Sequence, residues 1–97
     1  MTPITAAQAV ALEFGVLLSD LLGSARGRTN SDARKALAYV MREECKPQPS
    51  WAAVAGVMGC CRPTAILRYN RAKDHIKTCQ IFRNSMNNIL DRIQQAA

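Results

Sequence analysis

Residues 50–77 read SWAAVAGVMGCCRPTAILRYNRAKDHIK, and the reading of this stretch decides the fold. Ser50 is an N-cap type of residue, whose hydroxyl accepts a bond from an otherwise unpaired N–H of a first helical turn. Trp51 to Met58 then form a short alanine-rich helix. Gly59 breaks it, because glycine leaves a helix through a left-handed conformation at no steric cost. A second helix begins around Pro63, since proline lacks only an N–H that would be unpaired at the first helical position. It runs through Ile66, Tyr69, Ala72 and Ile76. A small-faced helix, a tight turn and a polar helix with a basic face describe a helix-turn-helix. The alanines let the second helix cross closely, and that helix projects its N-terminal side chains outward, within reach of base edges in a major groove. From Arg62 to Arg83 there are six bases (Arg62, Arg68, Arg71, Lys73, Lys77, Arg83) and one acid, Asp74. The same pattern also describes a helical pair whose charges are merely solvated.

Outward from this stretch the periodicity stays helical. Thr5 or a neighbour starts a first helix with Val10, Leu12 and Phe14, stopped by Gly15. Ser19 to Gly23 reads as a single turn, and Gly23 to Asn30 as a polar loop carrying Arg26 and Arg28. Ser31 or Asn30 caps the next helix, with Asp32 in its first turn, where the helix dipole favours an acid. Ala36, Leu37, Tyr39, Val40 and Met41 form its apolar face, and it ends near Cys45, ahead of Pro47 and Pro49. A last helix carries Ile81, Phe82, Met86, Ile89, Leu90 and Ile93. Whether it continues the previous helix is left open. No strand candidate and no internal repeat is found. The expected fold is all-α, with five to six helices.

The 97 residues, 48% apolar and 21% charged, suffice for one folded domain over 1–97 and exclude a disordered tail. One Trp, two Tyr and two Phe leave an aliphatic core. The net charge of +6 is unevenly spread. Residues 1–25 hold Glu13 and Asp20 and no base, whereas residues 26–83 hold twelve bases and four acids. Such a distribution favours a polyanionic partner.

Several classes are set aside. The apolar run from Val10 to Leu22 is interrupted by Glu13, Gly15 and Asp20, so neither a signal peptide nor a membrane span is expected. A cytoplasmic setting follows, in which Cys45, Cys60, Cys61 and Cys79 stay reduced. His75 and Cys79 share a helical face, but adjacent Cys60 and Cys61 point apart and no C-x-x-C occurs, so no metal is expected. Nothing pairs His75 with a nucleophile at a recognisable spacing, and no enzyme activity or cofactor is expected. Tyr39 and Trp51 are read as packing residues rather than platforms for bases.

The chain resembles the C-terminal DNA-binding domain of the bacterial replication initiator DnaA, a helical domain with a Trp-repressor-like helix-turn-helix. The resemblance spans roughly residues 4–77. It is carried by the Ser19-Asp20-Leu21-Leu22 turn, the loop with Arg26 and Arg28, and the helix start Ala33-Arg34-Lys35-Ala36-Leu37-Ala38. The Ser50 helix and Gly59-Cys60-Cys61-Arg62-Pro63-Thr64-Ala65-Ile66-Leu67 continue it. The order and spacing carry the match rather than any single motif. The chain departs from the family's Gly-Gly-Arg-Asp-His-Thr-Thr-Val signature: Arg62-Pro63 replaces Asp-His, Cys61 the arginine, and Ala65 the second threonine. The Lys46-Pro47-Gln48-Pro49 loop is about two residues longer than in the family. No G-x-x-x-x-G-K-S/T phosphate loop occurs, so no ATPase activity is implied.

The resemblance implies double-stranded DNA as partner, in a replication-related or regulatory role at the nucleoid, with an initiator or its sites as a second partner. It implies Arg26 in a minor groove, where narrow A·T tracts enhance the negative potential. It implies base contact at Thr64 and phosphate contact at Arg28 and Arg34. Beside them, Arg62, Ala65 and Arg68 are expected in the major groove, Ala65 against a thymine methyl, and Lys35, Arg71 and Lys73 on phosphates. Loss of the Asp-His pair supports an alternative, a helical protein-interaction module that kept the fold and lost DNA binding.

Overall fold

In the computed structural model, which describes residues 2–23 and 26–96, helix α1 (Pro3–Phe14) is started by Thr2 rather than Thr5. The Thr2 hydroxyl accepts the Thr5 N–H at 3.3 Å. Gly15, at φ 65°, ends the helix in the left-handed region, as its sequence position leads one to expect. The single turn α2 (Leu18–Leu21) follows.

Helix α3 (Arg28–Glu44) begins earlier than the capping pattern predicts. Neither Asn30 nor Ser31 caps it. Gly27, at φ 126°, brings the chain into the helix without a side-chain cap, so Arg28, Thr29 and Asn30 already belong to the first turn. The Asn30 amide instead donates back to the Arg26 carbonyl at 3.2 Å, tying the end of the loop down.

Helix α4 (Trp51–Met58) has the predicted Ser50 cap, whose Oγ accepts the Ala53 N–H at 3.1 Å, and ends at Gly59 with φ 67°. Three residues later α5 (Arg62–Thr78) starts, one position ahead of Pro63, with Cys61 at the N-cap. Cys79 is extended (φ −127°, ψ 113°) and separates α5 from α6 (Gln80–Ala96), so these are two helices and not one. The guanidinium of Arg83 reaches back to the carbonyls of Ile76 at 3.0 Å and Lys77 at 3.2 Å. Cations at a helix C-terminus satisfy carbonyls left without an intrahelical donor and complement the dipole. Arg83, the last residue of the predicted basic run, is therefore a helix cap.

The described residues contain six helices and no strand. Helix α3 runs through the centre, burying Ala33, Ala36, Leu37, Ala38, Val40 and Met41 completely. Around it α1 contributes Ala6, Ala7 and Val10, and α5 contributes Ala65 and Ala72. Alanine at so many contact positions lets the helix backbones approach closely. Phe82, Met86 and Ile89, at i, i+4 and i+7 of α6, close the core. The aromatic residues act as packing residues, as expected: Tyr39 stacks on Tyr69 with centroids 5.7 Å apart, and Trp51 meets Tyr69 edge-on at 5.2 Å. Such pairs contribute about 0.5–1.5 kcal/mol each beyond area burial. Arg42 lies 4.6 Å above the Trp51 ring and donates to the Pro49 carbonyl at 2.6 Å, pinning the α3–α4 loop. The molecule measures 30 × 28 × 25 Å.

Candidate nucleic-acid interface

Helices α3 and α5 run antiparallel along a shared groove, since residues 31–35 of α3 line it opposite 64–71 of α5, and residues 28–32 line it opposite 75–79. On α5, Thr64, Arg68 and Arg71 fall on one face by their i, i+4, i+7 spacing. On α3, Ser31, Arg34 and Lys35 answer them. Together with Leu67 these residues enclose a cleft of about 280 Å³. Five residues singled out in the sequence, Arg34, Lys35, Thr64, Arg68 and Arg71, are thus brought to one place.

The cations there are not equivalent. Arg34 is largely committed to the backbone, its Nε donating to Leu21 O at 3.1 Å and its Nη2 to Asp20 O at 2.7 Å and Gly23 O at 3.0 Å. It holds the end of α2, and only its Nη1 remains for a ligand. Lys35 pairs with Asp32 at 3.0 Å, one turn away. Arg68 is half-buried and Arg71 exposed, and neither makes a hydrogen bond or ion pair among the described residues. The Thr64 hydroxyl lies 3.0 Å from Cys61 Sγ, and this bond holds the Cys61 thiol below its usual range.

The remaining expected contacts lie elsewhere. Ala65 is completely buried and cannot meet a thymine methyl. It belongs to the stripe Ala65, Tyr69, Ala72 and Ile76, which packs into the core. Lys73 sits about 140° around α5 from Arg68, with its ammonium 5.4 Å from the Tyr69 ring centroid, so it does not serve the cleft. Arg62 is exposed at the first position of α5, outside the cleft lining. Arg26 is exposed on the loop. Arg28 lies at the far end of the groove, beside a smaller hollow of about 240 Å³ that includes Phe14, His75 and Phe82. His75 stacks on Phe82 at 4.2 Å, which makes it a partly packed histidine.

Two cleft residues, Ser31 and Leu67, are not among the expected contacts. Ser31 precedes Lys35 by four positions and Leu67 precedes Arg71 by four, so helical spacing from the basic residues marks both. All four cysteines are free thiols, with Cys45 buried in the core. No helix among the described residues is long and apolar enough to cross a membrane. No protein-family model matches the chain, and no curated protein matches it in sequence.

Proposed function

We propose that the chain is a double-stranded DNA-binding domain without ATPase activity, acting in DNA replication or its regulation. The observation that carries this reading is the convergence of Arg34, Lys35, Arg68 and Arg71 on one groove. One wall of that groove is α5, which a three-residue turn joins to α4. A helix-turn-helix of this kind would place the exposed start of α5, with Arg62 at its tip, in the major groove and the groove cations on the backbone. The replication-related role rests on the resemblance to the initiator's DNA-binding domain. The protein would act on its own sites or compete for an initiator's.

Titration of a fluorescent duplex at several salt concentrations tests the proposal. Neutralising about six phosphates gives a slope of roughly −5 in log affinity against log salt. Folded protein that fails to bind duplex at about 50 mM salt overturns it.

A second reading is favoured by a different surface. Leu12 and Leu17 are each 68% exposed and line a shallow apolar hollow with Ala11, Val16 and Leu18. Exposed apolar patches mark interaction sites, and a helical protein-interaction module would use this face instead of the basic groove. A complex that forms without duplex DNA and is lost on Leu17→Asp would support it.

A further inference from the structure

The cleft between α3 and α5 holds more donors than the protein uses. A guanidinium carries five N–H donors. Half-buried Arg68 spends none of them on the described residues, nor does Arg71, and Arg34 keeps Nη1 in reserve. Of the four cations only Lys35 has a carboxylate partner among the described residues, Asp32. Crowding like charges into a partly desolvated hollow costs free energy unless an anion enters it.

The shape selects among anions. The cleft is concave and about 280 Å³ in volume, just below the ~300–1,000 Å³ typical of sites for drug-sized ligands. A terminal phosphoryl carries about −1.5 to −2 near neutral pH, so two linked phosphoryl groups come close to balancing Arg34, Arg68 and Arg71. Arginine forks suit phosphate oxygens in paired hydrogen bonds. Ser31 and Thr64 stand on opposite walls, and the Ser31 hydroxyl supplies a neutral donor.

From this geometry we infer that the α3–α5 cleft is a binding site for a diphosphate group, either inorganic or carried by a nucleotide. A bound diphosphate occupies the cations that the proposed DNA complex uses, so the two ligands exclude each other. Only this exclusion rests on the DNA-binding reading. Diphosphate binding does not.

Calorimetric titration of the full chain with inorganic pyrophosphate, ADP, orthophosphate and sulfate at matched ionic strength tests the inference. The expected result is a 1:1 complex with pyrophosphate at least about tenfold tighter than with sulfate. Arg68→Gln and Arg71→Gln each weaken it by about tenfold or more, whereas Lys46→Gln, on the α3–α4 loop, leaves it unchanged. The arginine variants remain folded by circular dichroism, because neither side chain makes a hydrogen bond or ion pair among the described residues. ADP binding as tightly as pyrophosphate assigns recognition to the diphosphate alone, and tighter ADP binding assigns it to a nucleotide. Pyrophosphate binding no tighter than sulfate, or unchanged in both arginine variants, overturns the site. Pyrophosphate that binds but fails to displace duplex overturns the exclusion. Pyrophosphate binding by a protein that ignores duplex leaves the site standing and removes the DNA-binding reading.

Discussion

Arg34 Nε donates to the carbonyl oxygen of Leu21 at 3.1 Å, although the two residues are thirteen apart in sequence. The bond makes an arginine of the central helix the clamp for the end of α2. It also explains why a cation at this position adds less contact capacity to the groove than its charge suggests.

Arg34→Ala should therefore destabilise the protein as well as weaken any anion complex. Three carbonyls lose a charged donor, and hydrogen bonds to charged groups are worth about 1.5–3 kcal/mol in favourable cases. With partial solvent access, a total loss of about 2–3 kcal/mol in urea denaturation is expected. Arg34→Lys should recover less than half of it, because a single ammonium cannot reproduce the planar fork.

Alkaline pH should report the α3–α5 contact. The Tyr69 hydroxyl donates to the Glu43 carboxylate, and this bond, with burial, pushes its pKa up to about 12. Burial and then the carboxylates of Glu43 and Glu44 also raise Tyr39. These are the only two tyrosines in the chain. A raised folded pKa means that the stabilisation is complete below the unfolded value near 10 and is lost as pH rises towards 12. Absorbance at about 295 nm should place the phenolate transitions above the ordinary tyrosine pKa of about 10 while the fold persists, that of Tyr69 at about 12. Tyr69→Phe should cost about 1 kcal/mol at neutral pH and remove the Tyr69 share of the alkaline loss.

Ala65 and Arg62, three residues apart, should respond in opposite ways. Ala65→Leu drives extra methylenes into a closed helix contact and should cost about 1–3 kcal/mol of stability. Arg62→Ala should leave the melting temperature nearly unchanged. In the proposed complex it should cost about 1–3 kcal/mol on the preferred duplex and relax the choice at one base pair. Thermal melts and a panel of duplexes measure the two effects separately.

Arg71 and Lys73 offer a further contrast. Arg71→Ala should lower the salt slope of duplex binding by roughly one, the signature of a lost phosphate contact. Lys73→Ala should leave the slope unchanged, because its ammonium faces Tyr69 on the other flank of α5. Equal effects of both substitutions would show that generic charge, not the groove, attracts the duplex.

Most of the helix boundaries were legible because their causes are local. Ser50, Gly15 and Gly59 act on the turns beside them. The break at Cys79 was not, since neither glycine nor proline marks it and Arg83 holds it from the next helix. The start of α3 was misplaced by about one turn, because glycine at positive φ did the work usually assigned to a capping side chain. In the candidate site, the shared face of Thr64, Arg68 and Arg71 is written in their spacing. That Ala65 faces inward was also readable, from the stripe it forms with Tyr69, Ala72 and Ile76. What spacing could not show is which arginines the backbone had already claimed.

Arg34, Arg42 and Arg83 all give N–H groups to carbonyl oxygens of the chain itself. Part of their donor capacity is spent on the chain itself, but their charges are not. In the proposed complex the charges of Arg42 and Arg83 would act at long range, drawing a polyanion towards the surface without gripping it on arrival. Their charge belongs to the rate of encounter, whereas the lifetime of the complex depends on Arg68, Arg71 and Arg62. A strongly basic chain of this kind would find its ligand quickly and release it on a schedule set by three side chains.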